Sequence, residues 1–280
     1  MALIWGSSFL FTELSLRFLP FYGVAFWRTF LGGLAMFALV FLLKLQLPKG
    51  TQWFHLWVAG VLMSAIPFSL FSFAQQSTTS SLAAIIGAAT PMFTLLAILT
   101  IYRTEKVTLI ATSGLLIGLI GVAITLGVWE GFGNNDPVAI AALVLATISY
   151  GIGGPYIRKF VTPMNLSGTS TAAAQVFTSA ITLLPFYLLT GPLTTAAPTV
   201  ESLLSIVALG VLGSGFAYRL FHDVIKDAGS TVASTVTFTN PVVATIWGVL
   251  LLSEELHWYE PIGGLVVILG AWLAQHKATK

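Results

Sequence analysis

The sequence predicts an all-α integral membrane protein with ten transmembrane helices, arranged as two inverted five-helix repeats. Three observations lead to this prediction. Hydrophobic residues make up 56% of the chain and charged residues only 8%, whereas a typical soluble domain is roughly 25% charged. Ten apolar stretches of membrane-spanning length follow one another along the chain. The second half of the chain repeats the pattern of the first.

Each predicted span is close to the length that crosses a bilayer, which is about 20 apolar residues in a helix. A soluble fold is excluded, because so few charged residues could neither cover its surface nor keep it dispersed. The chain has no cysteine, which excludes disulfides and thiolate chemistry. The predicted spans 1 to 10 are residues 2–19, 22–43, 55–75, 81–101, 108–128, 138–156, 168–190, 202–221, 230–252 and 259–275.

Basic residues are concentrated at one side of the predicted bundle. With the N-terminus in the cytoplasm, only Arg17 and Arg28 lie toward the outside. Because Lys and Arg accumulate in cytoplasmic loops, we expect both termini to be cytoplasmic. The basic residues on the predicted inner side are Lys44, Lys49, Arg103, Lys106, Arg158, Lys159, Arg219, Lys226, Lys277 and Lys280.

The repeat is clearest in two stretches, "GVLMSAIPFSLF" at 60–71 and "GVLGSGFAYRLF" at 210–221, which are identical at six of twelve positions. The similarity continues without gaps from 80–116 to 230–266. We therefore divide the chain into 1–130 and 137–278, with five spans each. Because five is odd, the second half enters the membrane from the opposite side, as in alternating-access transporters. A duplication that serves only packing is the alternative.

Several short motifs carry a family resemblance. They are "IWGSSF" in span 1, an arginine early in span 2 within "FWRTFLGG", and the prolines of spans 4 and 9 in "ATP" and "TNP". With them, essentially the whole chain resembles the drug/metabolite transporter superfamily, specifically its ten-helix bacterial members of the EamA type. The resemblance implies a basket in a bacterial plasma (inner) membrane, in which spans 1, 3, 4, 6, 8 and 9 surround a central substrate cavity. Family members move amino acids, other small metabolites or drugs, mostly outward.

Spans 5 and 10 contain stripes of small residues, which allow close helix contact in lipid. The resemblance implies that these spans are peripheral and often mediate dimer contacts. We therefore keep two interpretations: packing within a monomer, or a homodimer seam. Beyond that, the expected partners are the lipid bilayer and a small-molecule substrate, without nucleic acid, metal or cofactor. The stripes are Gly114, Gly118 and Gly121 in span 5 and Gly263, Gly264 and Gly270 in span 10.

Glu13 in span 1 and Arg28 in span 2 are charged residues inside predicted spans, at similar depth from the outer side. An ionisable group at the centre of a membrane helix costs roughly 2.5–3.5 kcal/mol on insertion scales, so each needs a partner or water. The hypothesis is a Glu13–Arg28 ion pair. It has a structural version, in which the pair fixes two helices, and a functional version, in which Glu13 binds a substrate amine or a coupling proton.

Pro91 and Pro241 fall in the middle of spans 4 and 9, where a proline removes one backbone donor and frees a carbonyl. The functional interpretation is a pair of kinks that line the cavity and act as hinges; a static packing kink is the alternative. Aromatic and small polar side chains on the cavity spans are the candidate substrate contacts, although each alone is typical of packing or interfacial anchoring. These candidates are Trp5, Ser8, Phe9, Phe68, Ser72, Tyr150, Tyr218, Phe238 and Asn240.

The predicted function is secondary transport, with export of amino acids or related metabolites by alternating access. Proton-coupled efflux of amphipathic drugs or cations is the alternative, and it would depend on Glu13. An enzyme is not expected, because the sequence has no H-E-x-x-H, G-x-S-x-G or P-loop motif. A channel is disfavoured, because nothing resembles a filter of carbonyls or a ring of charges.

Overall fold

The computed structural model describes residues 1–102, 109–125, 129 and 136–274. Within them every regular element is helical. The predicted loop residues Arg103, Glu105, Lys106 and Glu130 and the C-terminal Lys277 and Lys280 lie outside this part of the chain. The α-helices are α1 (Ala2–Leu16), α2 (Phe21–Leu42), α3 (Gln52–Gly60), α4 (Ile66–Ala74), α5 (Ser80–Gly87), α6 (Thr90–Ala97), α7 (Leu109–Thr125), α8 (Pro137–Tyr156), α9 (Gly168–Leu189), α10 (Val200–Ala208), α11 (Ala217–Ala228), α12 (Ser230–Ser234), α13 (Asn240–Leu252) and α14 (Tyr259–Ala274).

Seven continuous helical stretches are long and apolar enough to cross a membrane, and three shorter apolar helices accompany them at Leu3–Leu16, Thr112–Thr125 and Tyr259–Gly270. Many large apolar side chains face outward, such as Leu109 with 85% and Leu189 with 83% of its surface exposed. Such a surface is stable against lipid and not against water. The seven long stretches are Phe21–Leu42, Gln52–Ala74, Ser80–Tyr102, Pro137–Met164, Gly168–Leu189, Val200–Ala228 and Ser230–Leu252.

The two most similar stretches of sequence form the same irregular element. α3 and α4 are joined by a π-helical segment at Val61–Ala65, and α10 and α11 by another at Leu209–Phe216. A π-helical turn is wider than an α-helical one and often marks a functional site. The repeated sequence therefore encodes a local bulge in both halves.

Both predicted proline kinks are present as breaks. The helix of span 4 is interrupted at residues 88–89, and α6 begins there with Pro91 in its first turn. The helix of span 9 passes through a 3-10 segment, Thr235–Thr239, before α13 begins at Asn240 and Pro241. The proline lacks the N–H that would continue the preceding turn, so each helix restarts at its proline.

Several helix contacts between the two halves of the chain occur twice. In the second contact, each helix is replaced by its counterpart from the other half. α1 packs on α13 and, correspondingly, α8 packs on α6. The contact of α2 with the second π-helical segment corresponds to that of α9 with α3. α4 also packs on α8, and the two largest contacts, α2 with α9 and α7 with α14, each join helices that the predicted repeat makes equivalent.

The glycine stripes of spans 5 and 10 face each other within one chain. A Cβ atom on Gly270 would lie 2.3 Å from the backbone nitrogen of Gly118, and one on Gly121 would lie 2.5 Å from that of Val267. No side chain fits at these positions, because the helix backbones themselves are in contact. Packing within the chain accounts for Gly118, Gly121 and Gly270, and the homodimer seam stays a prediction.

Candidate functional site

The centre of the bundle contains a cavity with a volume of about 80 Å³, several times the roughly 10–15 Å³ that one water molecule needs on this measure. Seven of the predicted spans contribute to its wall: the six that the resemblance implies, and span 2 through Arg28. The lining residues are Trp5, Ser8, Phe9, Thr12, Arg28, Met63, Phe68, Phe71, Gln75, Gly87, Thr90, Thr94, Tyr150, Gly154, Tyr218, Phe221, Ser230, Ser234, Thr237 and Asn240.

Helical periodicity decides which side chains reach the cavity. On α1 the lining residues follow the three- and four-residue spacing of one α-helical face. On span 9 they are Ser230, Ser234, Thr237 and Asn240. The first two are four residues apart in the α-helix α12, and the last three are spaced by three because the 3-10 segment between them has three residues per turn. The break before Pro241 thus places a row of polar groups along the cavity.

Most of the predicted substrate contacts lie at this cavity, and two do not. Ser72 is fully buried outside the lining, one residue beyond Phe71 and so rotated by about 100° from the lining face of α4. Phe238 follows Thr237 in the 3-10 segment and lies off the cavity by about a third of a turn. The predicted residues that line the cavity are Trp5, Ser8, Phe9, Phe68, Tyr150, Tyr218 and Asn240.

Seven aromatic side chains line the cavity, and several of them pack against one another. Trp5 packs edge-on against Tyr218 with ring centroids 5.5 Å apart, and its Nε1 donates to the carbonyl oxygen of Gly213 at 2.9 Å. Phe9 packs edge-on against Phe71 at 5.7 Å. Edge-to-face pairs contribute about 0.5–1.5 kcal/mol beyond burial, so these rings make a preformed apolar wall.

Arg28 is the basic residue among the cavity-lining side chains, and only 5% of its surface is exposed. Its guanidinium carbon lies 3.5 Å from the centroid of the Phe68 ring, a cation–π geometry. Its Nε donates a hydrogen bond to Ser214 Oγ at 3.1 Å. Apart from this bond, its N–H groups have no acceptor among the described residues.

The predicted Glu13–Arg28 ion pair is not formed. Within the described residues, the salt bridge joins Arg17 to Glu201 at 3.8 Å, with both side chains exposed. Glu13 is partly buried, does not line the cavity, and has Glu254 and Arg17 as its charged neighbours. It follows Thr12 on α1 and is therefore rotated by about 100° from the lining residue.

The Glu254 carboxylate binds the first turn of α5. One oxygen of Glu254 accepts from the backbone N and Oγ of Ser80, and the other accepts from the N and Oγ of Ser81. An anion at a helix N-terminus satisfies unpaired N–H groups and interacts favourably with the helix dipole. We call this contact between the loop after α13 and the start of α5 the Glu254 clamp.

Several functional candidates were missed by sequence reasoning. The Glu254 clamp spans 174 residues, and a single sequence contains no signal for such a contact. Gln75, Ser230 and Ser234 also line the cavity. The sequence gave a partial signal for the two serines, because they lie in the same span as the predicted break at Pro241. Among the described residues, no group of three or more His, Asp or Glu side chains could hold a metal ion.

The chain matches the EamA-like transporter family over residues 1–127 and 137–274. It is 25% identical over 282 residues to an uncharacterized transporter of Archaeoglobus fulgidus, covering 98% of this chain and 94% of that protein. It is 24% identical over 275 residues to the uncharacterized inner membrane transporter YedA of Escherichia coli strain K12, covering 97% and 87%.

Protein PecM of Dickeya dadantii is 25% identical over 231 residues, which cover 81% of this chain and 75% of that protein. A solved crystal structure matches with a TM-score of 0.72 and 18% identity, covering 98% of this chain and 93% of that one, which shows a shared fold. With a family match over nearly its whole length and seven apolar stretches long enough to span a bilayer, the chain is a multi-pass membrane protein of the EamA-like transporter family.

Proposed function

We propose that the protein is a secondary carrier of a bacterial inner membrane that exports small amphipathic metabolites, such as amino acids, by alternating access through the central cavity. The cavity carries this proposal: it lies inside the bundle and is lined by seven aromatic side chains and ten polar ones, which include one cation. Such pockets bind small solutes with an apolar body and a polar head. The inner-membrane assignment rests on the name of the relative YedA.

An inverted repeat supports alternating access, since transporters of this type rock one repeat against the other around a central site. The paired helix contacts, α1 with α13 and α8 with α6, support such a repeat. So do the two π-helical segments at equivalent positions.

Two serines at corresponding positions of the sequence repeat differ in a way that fits one state of such a cycle. Ser80 is bound by Glu254, whereas its repeat counterpart Ser230, 150 residues later, lines the cavity. We interpret the Glu254 clamp as the closed outer end and the Ser230 end as the inner, cytoplasmic side. Arg158 donates to the carbonyl oxygen of Lys226 at 2.8 Å, so two basic residues share this inner end, as the positive-inside rule favours.

The alternative, proton-coupled efflux of amphipathic cations, needs an acidic group in the transport path. Glu13 does not line the cavity, and the described lining contains no Asp or Glu. This observation favours metabolite export over cation efflux.

The experiment is uptake into proteoliposomes of labelled amino acids and one lipophilic cation, with and without a proton gradient. We expect saturable amino acid transport that does not depend on the gradient and that Glu13→Gln leaves within about twofold of the native rate. Gradient-driven cation uptake that Glu13→Gln abolishes would instead establish the alternative.

A further inference from the structure

The cavity contains a cation without a counter-ion and an acceptor without a donor. We propose that it selects substrates that carry a carboxylate, bound by Arg28, and a neighbouring hydrogen-bond donor, accepted by Asn240 Oδ1. This inference rests on the proposed carrier function and names its substrate class.

Arg28 brings a positive charge to the cavity that no lining residue neutralises. None of the lining side chains is acidic, and the contacts of the guanidinium are the Phe68 ring and Ser214 Oγ. A buried cation is stable only with a partner, and a carboxylate fits the fork of guanidinium N–H groups with two parallel hydrogen bonds. A carboxylate-bearing substrate supplies that partner.

The other half of the chain shows that packing does not require this charge. There, Gln175 of α9 donates to Ser64 Oγ at 3.3 Å, as Arg28 of α2 donates to Ser214 Oγ. Both serines lie in the π-helical segments, at equivalent positions of the repeated sequence. Gln175 is fully buried and completes its bonding with His222 at 2.8 Å. The neutral amide of Gln175 therefore suffices to join α9 to the first π-helical segment. By analogy, the contact of α2 with the second segment does not require a charge, and the charge of Arg28 is available to a ligand.

Asn240 provides the second polar element. It lines the cavity with 7% of its surface exposed, and its Oδ1 has no hydrogen-bond partner. Buried acceptors are almost always paired in native structures, and an unpaired one needs an explanation. An N–H or O–H group of a bound substrate would satisfy it, while the aromatic wall takes the apolar body.

The test uses four ligands with the same phenyl body and different heads: 3-phenyllactate, phenylalanine, 3-phenylpropionate and phenethylamine. Binding is measured as ligand-induced thermal stabilisation of the purified protein, and transport as counterflow in proteoliposomes. We expect each carboxylate to bind at least tenfold more tightly than the amine. Among the carboxylates, 3-phenylpropionate should bind most weakly, because it has no hydrogen-bond donor for Asn240 Oδ1.

Three variants assign the roles. Arg28→Gln should weaken binding of the carboxylates at least tenfold without weakening binding of the amine. Arg28→Lys should recover part of the lost affinity, because lysine keeps the positive charge but lacks the forked N–H groups of arginine. Asn240→Leu should remove the difference between 3-phenyllactate and 3-phenylpropionate. Lys49→Gln, which removes an exposed cation away from the cavity, is the matched control. If Arg28→Gln does not fold, Arg28→Lys and Asn240→Leu still decide the question.

Two results separate this inference from the proposed function. Saturable transport with the same affinity for phenethylamine and for the carboxylates would overturn the inference but not the proposed carrier function. Arg28-dependent carboxylate binding without any saturable flux would support the inference and overturn the carrier.

Discussion

Replacement of Glu254 by glutamine tests the proposal that the Glu254 clamp holds the outer end of the bundle closed. The carboxylate accepts four hydrogen bonds, two on each oxygen, from the backbone and hydroxyl groups of Ser80 and Ser81. Glutamine has nearly the same shape, but one of its two head atoms is a donor. Two of the four bonds are therefore lost, and an N–H group faces other donors at the start of α5.

The size of the effect follows from the number and type of these bonds. A hydrogen bond to a charged group contributes about 1.5–3 kcal/mol, so two of them set a ceiling of roughly 3–6 kcal/mol. Glu254 is only partly buried, and water replaces part of the loss. We expect the closed outer end to be weakened by about 1.5–3 kcal/mol, which corresponds to a roughly 10- to 150-fold shift toward the outward-open state.

The assay exploits the absence of cysteine from the native chain. Thr12→Cys places a single thiol on the cavity wall, toward the end of α1 that leads to Arg17. A membrane-impermeant maleimide is added to the outside of sealed right-side-out vesicles. Because labelling requires the outer end to open, its rate should rise at least tenfold when Glu254→Gln is added.

The matched control is Glu255→Gln, which removes the neighbouring exposed carboxylate and should leave the labelling rate within about twofold. Equal rates in the Glu254→Gln and Glu255→Gln backgrounds would show that the clamp does not hold the outer end closed. The interpretation of the structure as an outward-closed state would then be wrong.

Two further substitutions test the close contacts of the fold. A Cβ atom on Gly248 would lie 2.3 Å from Glu254 Oε2, so Gly248→Ala should raise outside labelling at least tenfold although the carboxylate is still present; an unchanged rate would contradict the clamp geometry. Gly270→Ala would bring a Cβ atom to 2.3 Å from the backbone of Gly118, and this overpacking should lower the free energy of unfolding by about 1–3 kcal/mol, measured as a lower melting temperature in detergent. Gly264→Ala, whose nearest neighbour would be at 3.8 Å, is its control and should not lower the melting temperature.

The helical architecture could be predicted well from the sequence, because apolar length alone identifies helices in a membrane. The prolines at 91 and 241 correctly located the two breaks, since a proline cannot continue the turn before it. Boundaries within broken helices were harder. The 3-10 segment before Asn240 turned Phe238 away from the cavity, and uniform α-helical periodicity does not anticipate this change.

The polar contacts of the site could be predicted only in part. Arg28 was correctly identified as unusual, because a charge inside a span needs a partner. Its partner was predicted wrongly, since depth along two helices does not fix which way their side chains turn. The long-range contacts of Arg28 with Ser214 and of Glu254 with Ser80 depend on how the two halves pack, and a single sequence considered alone does not contain that information.

The most direct test of the carrier account is trans-stimulated exchange in proteoliposomes. Vesicles loaded with an unlabelled amphipathic carboxylate such as phenylalanine receive a trace of the same labelled compound outside. A carrier that alternates around the central cavity predicts that the label accumulates transiently above its outside concentration, and that it does so less in Arg28→Gln. Flux that is not saturable, shows no transient accumulation and carries an ohmic current would contradict the carrier account.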